Sequence, residues 1–198
     1  MRRCGIVVAD ALQRQATSRA GFIRAYGMFW HAEEVDWTGE ESSRRLELLG
    51  RYGERQPKIQ VSNFWDQQGI YILYNDYGPY YVGRTVGAGM NLGLRLRQHW
   101  HGTNGSPHQG KWDRFSWFGW RGTLSGVDPR GLRKLRATPS TLLTDSTDTV
   151  NDLESLLIYA LGTINVGNRR QETFRAAVEW KQIRWSDHDD YMRRVEPR

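Results

Sequence analysis

A chain of 198 residues is long enough to bury a core of its own and short enough to be one domain. Its 28 Lys and Arg, mostly Arg, exceed 22 Asp and Glu for a formal charge of +6, and nine Trp and nine Tyr accompany them, a balance that suits a polyanionic partner whose bases stack on rings and guanidinium planes. The single cysteine, Cys4, excludes an intrachain disulfide framework and a multi-cysteine zinc ribbon, and no apolar run has the length of a membrane span, so a cytoplasmic protein without membrane contact is expected.

Residues 1–24 are Arg-rich with one acid and read as a loosely ordered leader. Tyr26 to Trp37 and Lys58 to Phe64 read as short strands flanking a charged stretch, Glu40 to Glu47, so that 1–65 form a leader and a β extension. Gly69 to Tyr74 is apolar on both faces, Asn75-Asp76-Tyr77-Gly78-Pro79 carries turn chemistry, and Tyr80 to Gly83 resumes, which together predict a hairpin. Opposed residues of an antiparallel pair share a face, so Tyr71 and Tyr81 meet only if an odd number of residues connects the strands.

A glycine-rich stretch, Val86 to Gly93, opens a helix over Leu94 to Trp100, with Leu92, Leu96 and Trp100 on one side and Arg95 and His99 on the adjacent one. Phe115 to Trp120 predicts a third strand, and residues 121–148 read as irregular and basic. Leu153, Leu156, Leu157, Ala160, Leu161 and Ile164 predict a helix ending near Gly162. Gln171 to Lys181 reads as a last helix, so that 171–198 are a helix and polar tail packed on the domain at 66–170. The fold class expected is a small α/β (α+β) domain: a three-stranded antiparallel sheet flanked by helices, with an N-terminal β extension.

Hydrolysis of a phosphodiester needs a base for water, positive charge for the developing charge on phosphorus, and help for the departing oxygen. Five elements in order could supply these: Gly69-Ile70-Tyr71, Tyr81-Val82-Gly83, Arg95 with His99 four residues on, Glu154 on a helix, and Asn168. This ordered set, over roughly residues 66–170, resembles the GIY-YIG nucleases. The run Gly110-Lys111-Trp112-Asp113-Arg114-Phe115-Ser116-Trp117 resembles stand-alone bacterial members of that family.

The resemblance implies a metal-dependent endonuclease acting on DNA, with RNA still open, and a homodimer would suit double-strand cutting. Tyr71 would act as general base or orient the attacking water, and Tyr81 would position the phosphate or Tyr71. Strand alternation turns the neighbouring Tyr80 to the other side of the sheet. Arg95 would grip the scissile phosphate through its planar fork, and His99 would assist proton transfer or contact phosphate. Glu154 would ligate Mg2+ (or Mn2+), with Asn168 hydrogen-bonding nearby. Arg84, Arg97 and Lys111 suit nucleic-acid contacts, as does His108, a candidate for the active site itself.

Glu154 has a second reading as the partner of Asn151 in a capping box, which a competing box from Thr149 and Asp152 would leave unused. The chain departs from the family pattern in Val82, in the glycine-rich stretch before Arg95, and in Arg84, where smaller residues are common. Gly87, Gly89 and Gly93 do not match the spacing of a dinucleotide-binding turn, and His99, His101 and His108 lack a fourth ligand at zinc spacing. The main alternative is a non-catalytic nucleic-acid-binding module that keeps the nuclease fold.

Overall fold

The computed structural model describes residues 22–39, 46–54, 59–85, 89–138, 146–161, 174 and 177–196, and within 146–161 the side chains of 152, 153 and 155–160. The leader through residue 21, most of the charged stretch from Glu40, Gly162 and Ile164, and most of 171–177 lie outside the described residues. The strands are β1 (Ala25–His31), β2 (Leu49–Tyr52), β3 (Gln60–Asn63), β4 (Gly69–Asn75), β5 (Gly78–Thr85), β6 (Arg114–Gly119), β7 (Thr123–Val127), β8 (Arg133–Leu135), β9 (Val178–Glu179) and β10 (Lys181–Gln182). The helices are α1 (Leu92–His101), α2 (Ser146–Leu161) and α3 (His188–Val195).

These strands form two five-stranded sheets, ordered β5-β4-β6-β1-β9 and β10-β2-β3-β8-β7. Each is mixed, because β1 and β9 run parallel in the first and β3 and β8 in the second. The expected three-stranded antiparallel sheet flanked by helices is therefore incorrect: the chain is dominated by sheet, with three short helices among the described residues. The expected N-terminal extension is incorrect as well, since β1 lies inside the first sheet between β6 and β9.

Aromatic strands explain this outcome. Central strands of the first sheet are apolar on both faces and need cover on both. On the inner face Trp30, Tyr71, Leu73, Phe115 and Trp117 join Leu92 and Leu96 of α1, Phe64 just after β3, and Trp180 just before β10. Outer-face residues Tyr26, Ile72, Tyr74 and Phe118 pack with Leu156 of α2 and with Phe174. Among the described residues, no helix is long and apolar enough to cross a membrane.

Trp180 joins the sheets. It separates β9 in the first from β10 in the second, is 2 % exposed, and its carbonyl accepts from the Trp30 indole N–H at 3.2 Å. The last helix expected over 171–181 is thus overturned where the chain is described, because Val178 and Glu179 pair with Ala25 and Tyr26. The stretch expected to be irregular, 121–148, contains β7 and β8 as well as the start of α2.

The β4–β5 hairpin satisfies the odd-number demand in an unexpected way. Asn75 faces Gly78 across a two-residue turn, while Leu73 faces Tyr81 and Tyr71 faces Gly83, so Tyr80 is an extra residue bulged out of the ladder. The bulge restores the parity that the even turn would break, and it places Tyr71 and Tyr81 on one face.

Both motif glycines make room. A Cβ on Gly69 would collide with the Phe118 carbonyl of β6, and one on Gly83 would collide with the Tyr71 ring and hydroxyl. Tyr71 therefore lies flat across β5 only because position 83 has no side chain.

Helix α1 starts where the Asn91 side chain accepts from Leu94 N at 2.8 Å, and it ends at Gly102, whose φ of 66° suits a left-handed cap. These two caps set how far the helix runs across the inner face. Gly83→Ala should lower stability by about 1–3 kcal/mol, the usual cost of overpacking, whereas Gly126→Ala, with nothing within 4 Å of its added methyl, should leave it nearly unchanged. Urea unfolding of the two variants checks this.

Candidate active site

Strand β4, the bulged strand β5, helix α1 and the loop after it bring Tyr71, Tyr81, Arg95, His99 and His108 together. The Tyr71 hydroxyl lies 2.7 Å from His99 Nε2, and His99 Nδ1 lies 2.6 Å from Ser106 Oγ. Ring centroids of Tyr71 and Tyr81 are 6.2 Å apart, those of Tyr81 and His108 4.3 Å, and those of His99 and His108 4.7 Å. Tyr80, expected on the far side of the sheet, is turned back by the bulge: its hydroxyl lies 3.2 Å from His108 Nδ1.

Burial sets the protonation states. The Tyr71 phenol is pushed well above its ordinary range by burial and by the neighbouring Tyr81 hydroxyl, with Arg95 pulling it partway back. Burial, assisted by Arg95 and His108, pushes His99 down to about 4. His108 is lowered too, by burial and by the positive charges of Lys111 and Arg95. At neutral pH the phenol therefore keeps its proton and His99 is neutral, with one N–H to share between Tyr71 and Ser106. When Tyr71 donates to Nε2, the His99 proton sits on Nδ1 and is donated to Ser106.

Exposure divides the cluster in two. Tyr71 and His99 are 0 % and 1 % exposed, whereas Tyr81, Arg95 and His108 are half-buried and Lys111 is exposed. Arg95 donates to Gln98 Oε1 at 3.0 Å, a neutral partner that a phosphate oxygen can replace.

Other expected residues land elsewhere. Arg84 faces Ile70 across the ladder and so belongs to the outer face, away from Tyr71. Arg97 spends its guanidinium on the Trp37 carbonyl at 2.8 Å, a packing contact. Asn168 lies outside the described residues, as does the side chain of Glu154. The helix that carries Glu154 packs its Leu156, Tyr159 and Ala160 with the outer-face cluster. Ser106 and Tyr80 were not expected here, and only the serine's place in a glycine-flanked loop after the helix could have signalled it.

Magnesium needs hard oxygen ligands, usually with a carboxylate. Among the described residues no three His, Cys, Asp or Glu side chains converge as ligands. The described contacts of Tyr71, Tyr81, His99 and His108 include no carboxylate, and Arg95 and Lys111 add positive charge. This donor set does not by itself fit magnesium.

No family model matches the chain, and no curated protein or solved structure matches it either.

The unfolded chain, with a histidine pKa near 6.5, takes up a proton before buried His99 does as the pH falls. Stability contributed by neutral His99 is complete above about pH 6.5 and is lost as the pH falls toward 4, up to about 3 kcal/mol. Unfolding free energies of wild type should therefore fall more steeply across that interval than those of His99→Gln, and parallel slopes would contradict the burial argument.

Proposed function

We propose that the chain is a GIY-YIG-type endonuclease that hydrolyses phosphodiester bonds in DNA. The observation that carries this reading is the convergence of Tyr71, Tyr81, Arg95, His99 and His108 from four separate pieces of chain onto one face. Core packing alone would have no use for so many polar side chains in one place.

In this reading Arg95 leaves Gln98 and holds the scissile phosphate at the half-buried rim, beside Tyr81 and His108. Fixed positive charge there stabilises the trigonal-bipyramidal phosphate more than the ground state. Tyr71 and His99 lie directly behind. Tyr71 is covered in this structure, so its hydroxyl meets the attacking water only as substrate draws Arg95 and Tyr81 outward. Tightening of that kind on substrate binding is common in active sites.

The water oxygen bonds to phosphorus as the bond to the departing sugar oxygen breaks. One water proton passes to the Tyr71 oxygen while the phenolic proton passes to His99 Nε2, and solvent protonates the departing oxygen. An anionic phosphate on Arg95 offsets the charge that disfavours protonated His99. Tyr71 thus relays a proton as a neutral phenol, in keeping with its raised pKa. Dependence on Mg2+ or Mn2+, with Glu154 as ligand and Asn168 beside it, is part of the proposal on the strength of motif order alone, since the helix that carries Glu154 packs on the outer face, across the sheet from Tyr71.

One observation favours the alternative, a nucleic-acid-binding module without cleavage: Tyr71 and His99 expose almost no surface. Incubation of the protein with duplex DNA, single-stranded DNA and RNA, with Mg2+ or with chelator, separates the two. Cleavage by wild type in Mg2+ is expected, with Arg95→Ala slower by about a hundredfold in kcat and Glu154→Gln inactive but still binding. Salt-sensitive binding with no cleavage under any condition would establish the module instead.

A further inference from the structure

Beyond His108 the cluster opens into a groove of about 430 Å3 between the β4–β5 turn and the loop at 110–113, lined by Asn75, Asp76, Tyr80, Gly110, Lys111 and Asp113 among others. Its volume falls in the range of small-ligand sites. Resting on the nucleic-acid reading of the neighbouring site, we propose that this groove holds one unpaired nucleotide flanking the cleaved bond and that it selects guanine.

Continuity comes first. Tyr80 lines the groove and also hydrogen-bonds to His108, so a strand seated at Arg95 and His108 has its next nucleotide at the groove mouth. Tyr80 reaches this position through the β5 bulge, and 36 % of it remains exposed as a stacking surface.

Charge decides which part of the nucleotide enters. Asp113 pairs with Arg114 at 3.2 Å, and Asp76 and Lys111 contribute one charge of each sign. A groove so balanced does not attract a second phosphate as the Arg95 rim does. It suits a base, with Lys111 at the mouth countering that nucleotide's own phosphate.

Hydrogen bonding then decides which base. Asp76 is exposed, and its carboxylate has no hydrogen bond or ion pair to a described residue. An ionised carboxylate only accepts. Guanine presents two adjacent donors, N1–H and N2–H, on its Watson–Crick edge. Adenine and cytosine each set one donor beside a lone pair that the carboxylate repels, and thymine sets one N–H between two carbonyl oxygens. In a duplex the guanine edge is occupied by cytosine, so the nucleotide must be single-stranded or splayed from its helix.

The test is binding of a short oligothymidine with one central guanine, against the same strand with adenine, cytosine or thymine there, by fluorescence anisotropy in chelator so that nothing is cut. Wild type should bind the guanine strand about tenfold more tightly. Asp76→Asn should abolish that preference, and Tyr80→Ala should weaken all four strands at least about fivefold. Equal binding of the four strands, or a preference that survives Asp76→Asn, would overturn the guanine groove and leave the nucleic-acid reading standing. No binding of any strand would overturn the guanine groove, and if a duplex control also failed to bind, the nucleic-acid reading would fall with it.

Discussion

The Tyr71 ring lies across a bare stretch of strand at Gly83, with its hydroxyl 2.7 Å from His99. Everything else at the site follows from that contact. A side chain at position 83 would lift the ring off β5. A hairpin of unbulged register would turn Tyr81 away, and a helix capped one turn earlier than Gly102 would not deliver His99. The two motif glycines are therefore packing devices: Gly69 lets β6 approach β4, and Gly83 receives the phenol.

Burial converts this packing into chemistry. With both partners closed off from water, the phenol stays protonated and the imidazole stays neutral, so the pair carries no resting charge, the state that the proposed proton relay requires. Fixed positive charge is confined to the rim, at Arg95 and Lys111, where an anionic backbone would meet it first. Ser106 completes the line behind His99 and offers an acceptor for the second ring nitrogen.

The hairpin, α1 and β6 were legible because each carries its own local signal: turn residues 75–79, leucines at four-residue spacing, and an unbroken aromatic run. Strands within Tyr26 to Trp37 and Lys58 to Phe64 were legible too, as β1 and β3, but the arrangement of ten strands in two sheets was not. Strands β9 and β10 have two residues each and exist because Trp180 is buried between two sheets, a long-range fact. Strand β7 is exposed along most of its length and shows no alternation. Helix α3 lies in what reads as a polar tail and docks Met192 beside Leu132 and Ile183. At the site, motif order names Tyr71, Tyr81, Arg95 and His99, the loop beyond the helix adds His108, and the structure brings these five together. Simple alternation cannot foresee the bulge that turns Tyr80 back, and charge alone does not tell Arg95 from Arg84, on the outer side, or from Arg97, bound to the Trp37 carbonyl.

The claim that Tyr71 and His99 act as one proton-transferring unit is tested most directly by a double-mutant cycle on kcat/KM for DNA cleavage, using Tyr71→Phe, His99→Gln and both together. Either single change breaks the same relay, so the double variant should be no slower than the slower single variant. Losses that multiply would mean that the two residues contribute independently, and the hydrogen-bonded pair would then not be the working unit.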